Sequence, residues 1–69
     1  MANGFTAERI KEARKAKGLT LTDTAKEVGC TEAMLSFIET GDKVPSVAIL
    51  KRLAKAFDVS ADWLLGLVD

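Results

Sequence analysis

Histidine is absent from this 69-residue chain, and cysteine and proline occur once each. Cys30 alone cannot form an internal disulfide, and without a Cys/His cluster there is nothing to hold a structural zinc. No metal and no cofactor is expected. A catalytic site is equally hard to assemble. There is no nucleophile–base pair to nominate and no glycine-rich phosphate loop, so the chain is expected not to be an enzyme. Long apolar runs are missing as well. The longest, Trp63–Val68, is far too short to cross a bilayer, and the N-terminal MANGFTAERI lacks a basic start followed by a long apolar stretch. The expectation is a soluble cytoplasmic protein without membrane attachment, and a lone thiol fits that reducing compartment.

The chain also lacks an excess charge of either sign. Ten basic and ten acidic residues give a net charge of zero, so the basic surplus common to nucleic-acid-binding domains is not there. The distribution is uneven. Arg9, Lys11, Arg14, Lys15 and Lys17 crowd one early segment against Glu8 and Glu12. From Thr20 to Asp42, Lys26 stands alone against Asp23, Glu27, Glu32, Glu39 and Asp42.

What is present is an apolar fraction of 48% arranged at helical spacing, with no strand-like alternation, repeat or low-complexity stretch. That composition predicts a globular all-α fold, a single domain over residues 1–69 with a small core and no linker. Five helices are predicted, at about 7–17, 21–28, 32–40, 47–57 and 61–66. Thr6 is placed to cap the first, with Phe5 and Ile10 as a hydrophobic staple, and Gly18 ends it. Thr20, Thr31, Ser46 and Ser60 stand at the other starts. Val47, Leu50, Leu53, Ala54 and Phe57 form the inward stripe of the fourth helix, with Lys51, Arg52 and Lys55 on its wet side. Asp58 and Asp62 read as capping residues at the start of the fifth helix, and Trp63 and Leu64 as core.

Gly18–Glu39, GLTLTDTAKEVGCTEAMLSFIE, dominates the pattern: two short helices whose apolar positions are Leu19, Ala25, Val28, Leu35 and Ile38, joined by a turn at Gly29. This is the skeleton of a helix-turn-helix, whose second helix is offered to the DNA major groove. Around it stand PS before the fourth helix, LAKAFDVS, and DWLLG. As an ordered set from Arg9 to about Gly66, these resemble the Xre-type helix-turn-helix family, which includes the lambdoid phage repressors and Cro.

The resemblance implies a lambda-repressor-like five-helix bundle, usually a homodimer on a two-fold symmetric DNA operator. It implies an ion pair between Arg14 and Glu39. A glutamate adjoining core position Ile38 favours such a partner; the alternative is two separately solvated side chains. In the family the start of helix two grips a phosphate, commonly through Gln. Here that position is Leu21, which has only its backbone amide to offer, or is simply packed. The family's base-reading positions map onto Glu32, Ala33, Ser36 and Phe37, flanked by Thr31 and Thr40. Neither Arg for guanine nor Gln for adenine is among them.

A thinner code remains. Glu32 can accept from cytosine N4 or, more simply, complement the helix dipole. Ser36 can bond either way, and Ala33 and Phe37 can pack on thymine methyls. Helical phase turns Phe37 away from the face of Leu35 and Ile38, so it is either a base contact or part of an apolar patch for a protein partner. Met34 reads as rim packing. Lys43 is the only base in the loop after helix three and the phosphate-contact candidate there. Leu65, Leu67 and Val68 exceed what one small core absorbs; because in the resembling family this end commonly contributes to a two-fold interface, the resemblance makes them homodimer candidates, the alternative being a frayed tail. The leading expectation is a sequence-specific, repressor-like binder of double-stranded DNA. The second is a protein-interaction module that keeps the fold with weakened DNA reading.

Overall fold

The computed structural model describes residues 2–68, with side chains described from Thr6 onward. Its elements are α1 (Ala2–Ala16), α2 (Leu21–Val28), α3 (Glu32–Thr40), α4 (Val47–Phe57) and α5 (Ala61–Leu65), with no strand among the described residues. α1 packs on α3 and α5, and α2 packs on α4 and α3. Ile10, Val28, Leu35, Ile38, Leu53, Phe57 and Leu64 meet at the centre, all essentially without solvent contact. Burial of each such side chain stabilises the fold by about 1.5–3 kcal/mol.

Hydroxyl side chains start four of the helices. Thr20, Thr31, Ser46 and Ser60 have extended backbone and accept from the amides of Asp23, Met34, Ile49 and Trp63 at 3.0–3.2 Å. Each bond satisfies a donor that the helix itself leaves without an acceptor. The turn between α2 and α3 depends on Gly29, whose φ of 78° is left-handed. Its amide and that of Cys30 both bond to the Ala25 carbonyl at 3.0 Å, closing α2 within one residue.

Several expectations are corrected. α1 begins at Ala2, so Thr6 lies inside it and is not its cap. Thr6 and Ala7 are buried together with Ile10 and Ala13, so Thr6 belongs to the packed face of the helix rather than to its start. The staple partner Phe5 lies outside the described side chains. Val47, expected in the inward stripe of α4, is 71% exposed, because the first turn of the helix has nothing packed over it there. Asp58 does not start α5; it ends α4 in the left-handed region, φ 57°, a conformation Asp tolerates better than most residues. Arg52 lies exposed on the wet side of α4, as expected, and in addition donates to the Val28 carbonyl at 3.2 Å, capping the end of α2.

Arg9 closes α5. Its guanidinium donates to the carbonyls of Trp63 and, at 2.9 Å, Val68, and lies 4.7 Å from the centre of the half-buried Trp63 ring. Trp63 is therefore a rim residue stacked on a cation rather than full core. Leu65, Leu67 and Val68 beside it are exposed.

Candidate nucleic-acid interface

The surface that matters is built on α2 and α3, and three contacts fix it. Arg14 donates Nε–H to Glu39 Oε2 at 2.7 Å and an Nη2–H to Oε1 at 3.1 Å, while Nη1 donates to the Leu19 carbonyl at 2.8 Å. The side chains of this pair are only 11% and 5% exposed. One guanidinium thus joins α1, the chain leading into α2, and the far end of α3. The near end of α3 is tied by Thr22 Oγ1, which donates to Glu32 Oε2 at 2.9 Å. Leu35 and Ile38 anchor the middle in the core.

With α3 held in this way, its outward face carries Thr31, Glu32, Ala33, Met34, Phe37 and Thr40, all exposed, with Ser36 half-buried beside them. Ala33 and Phe37 are four residues apart and share one stripe of the helix. Phe37 is 46% exposed, so its ring stands outside the core, as its helical phase requires. Leu21, at the start of α2, is half-buried and packs against the core. Its side chain is therefore spoken for, leaving the amide at the helix start as its polar group.

Several candidate readers are already engaged within the chain. Thr31 Oγ1 accepts the cap bond from Met34 N. The Glu32 carboxylate accepts from Thr22, an engagement that sequence spacing does not reveal because the partner is on the preceding helix. Thr40 Oγ1 lies 3.1 Å from the Phe37 carbonyl and 2.9 Å from Asp42 Oδ2, acceptors for its one proton. The amides of Asp42 and Lys43 both turn back to the Phe37 carbonyl, at 2.9 and 3.2 Å. The loop after α3 consequently presents the Lys43 ammonium rather than a nest of amides. Cys30 is half-buried at the turn, and burial raises its thiol pKa. No cluster of residues that could hold a metal occurs among the described residues.

A fold of this kind, with α2 and α3 joined at a left-handed glycine and an exposed third helix, has counterparts. The family model described as helix-turn-helix matches residues 10–64. The chain belongs to the Xre-type helix-turn-helix family. Among curated helix-turn-helix relatives, the transcriptional regulator YazB of Bacillus subtilis (strain 168) is 41% identical over 56 residues, covering 81% of each chain. SinR of the same organism is 37% identical over 59 residues, covering 84% of this chain. The chain spans about half the length of several such relatives, 55% of the regulator YobD and 53% of SinR, both from Bacillus subtilis (strain 168). Among solved helix-turn-helix structures, the P22 c2 repressor in complex with a synthetic operator has a TM-score of 0.85 at 31% identity, covering 88% of this chain and 92% of that one. SinR in complex with DNA has a TM-score of 0.81 at 36% identity, covering 87% and 97%.

Proposed function

We propose that the chain binds double-stranded DNA in a sequence-specific manner as a repressor-like transcriptional regulator, with α3 in the major groove. The observation that carries this reading is the rigidly held, outward face of α3. A base-reading helix must be positioned to within a fraction of an ångström, and the Arg14–Glu39 pair and the two αL-closed turns hold it at both ends. Likeness to DNA-complexed SinR and P22 c2 repressor supports the same reading. In it, Leu21 contributes its backbone amide and Lys43 its ammonium to phosphates, and Thr31, Glu32, Ala33, Ser36, Phe37 and Thr40 form the base-facing surface. Two copies joined through Leu65, Leu67 and Val68 would place their third helices about 34 Å apart, in successive major grooves. The compartment implied is the cytoplasm, and no helix among the described residues is long and apolar enough to cross a membrane.

A second reading is favoured by one observation: Phe37 and Met34 are exposed side by side on a surface otherwise rich in carboxylates. Such a patch also suits a protein partner. Selection from a randomised duplex pool at low salt separates the two. Recovery of a palindromic motif with half-sites one helical turn apart supports the DNA reading. No enrichment by folded protein contradicts it and turns attention to a partner at Phe37.

A further inference from the structure

We infer that this chain recognises its DNA chiefly through the C5-methyl groups of pyrimidines, with Phe37 as the residue that senses them. The inference rests on the DNA reading above and follows from an inventory of what α3 has left to offer. Of the hydrogen-bonding side chains on its outward face, Thr31 is occupied by the helix cap, Glu32 by Thr22, and Thr40 by Asp42 and the Phe37 carbonyl. Each keeps some capacity, the Thr31 proton and the remaining lone pairs of Glu32, but these bonds fix how the side chains are aimed, and residues 31–40 contain no Arg, Lys, Asn or Gln to make a bidentate base contact. Glu32 is in addition an acceptor without a proton, so it can address only amino groups and is repelled by phosphates. Ser36, half-buried, is the one uncommitted hydroxyl among them.

The apolar side chains are in the opposite condition. Phe37 is 46% exposed and shares its stripe with Ala33, so a ring and a methyl project together from the middle of the helix. In the major groove the apolar feature of a base pair is the C5-methyl of thymine. An aromatic ring laid against it gains by removing both from water, and needs no polar partner. The same group is carried by 5-methylcytosine and is missing from uracil and cytosine. Recognition of this kind therefore follows the methyl and not the rest of the base, and cytosine methylation in the half-site becomes a modulator of binding.

The test uses the wild-type protein and a duplex selected from the random pool, with binding read by fluorescence anisotropy. Each thymine of a half-site is replaced in turn by deoxyuridine, which removes only the methyl. At the position facing Phe37 the loss should be about fourfold per methyl, or about 15-fold when both half-sites are changed. Cytosine placed there should bind weakly, and 5-methylcytosine should recover the same factor. Phe37→Ala should bind thymine and uracil duplexes alike while keeping the unfolding midpoint close to that of the parent, since the ring lies outside the core. If uracil matches thymine at every position, or the Phe37→Ala protein still distinguishes them, the inference is overturned while the DNA reading stands. If no duplex is enriched at all, both fall.

Discussion

Arg14 spends one guanidinium on three acceptors, two on Glu39 and one at the Leu19 carbonyl, and it is in this residue that the position of α3 is decided. Removing one partner of a nearly buried pair leaves the other desolvated and unpaired, so Arg14→Ala should cost about 3 kcal/mol in urea unfolding. The double change Arg14→Met with Glu39→Leu should recover most of that loss, because no charge is then stranded. Thr24 is the opposite case. It is fully buried in α2, and its hydroxyl has no hydrogen-bond partner among the described residues. Thr24→Val keeps the shape and the β-branch and discards the desolvated oxygen. It should raise stability by about 1 kcal/mol, seen as a higher urea midpoint at unchanged slope; a lower midpoint would mean that the hydroxyl is satisfied in solution. Glu32 faces the proposed groove with a negative charge. Glu32→Gln should therefore strengthen binding to random-sequence DNA several-fold at low salt, and the gain should shrink as salt is raised.

At the scale of the element, what could be read in advance was whatever depends on near neighbours. The starts of α2, α3, α4 and α5 were legible because a Ser or Thr and the amide it caps are three residues apart, and the inward stripes of α2 and α3 because helical spacing defines them. Thr31→Ala should accordingly cost about 1 kcal/mol and loosen the end of α3 that is offered to DNA. The features that escaped depend on packing across the chain. Thr6 looks like a cap and is buried instead, Val47 continues a stripe that the bundle does not cover, and Arg52 finds its acceptor 24 residues away. Asp58 escaped for a different reason, since Asp marks helix starts more often than ends. Here it closes α4 at φ 57°, while Gly29, Gly41 and Gly66 close α2, α3 and α5. Asp58→Gly should relieve that conformation and raise stability by about 0.5–1 kcal/mol in thermal unfolding. In the site, the fold positions were legible and their availability was not: nothing in the sequence says that Glu32 and Thr40 are engaged.

For the molecule as a whole, the balance of charge sets how it can hold DNA. Net charge is zero, and two of the arginines of α1 are drawn into internal bonds, Arg9 at α5 and Arg14 at Glu39. With roughly two phosphates neutralised per subunit, a dimer should show a log–log salt slope of about −4, shallow for a regulator of this kind. The described residues extend 27 × 23 × 20 Å, so one copy offers one α3 to one groove, and a palindromic site needs two. The exposed Leu65, Leu67 and Val68, the last with its carbonyl bonded to Arg9, are the proposed joint. Leu67→Asp should then yield monomers by sedimentation equilibrium with α-helical content unchanged, and reduce operator affinity without altering the half-site preferred. In the proposed complex DNA meets α3 and the turns beside it. Titrating the isotopically labelled chain with a selected duplex, and following the backbone amide signals, maps that contact. Shifts should concentrate at Leu21 and Thr22, along Thr31–Thr40, and at Lys43, with the core around Ile10 and Leu53 quiet. Shifts confined to α5 and the Arg9–Trp63 contact, or none beyond those produced by an unrelated duplex, would contradict it.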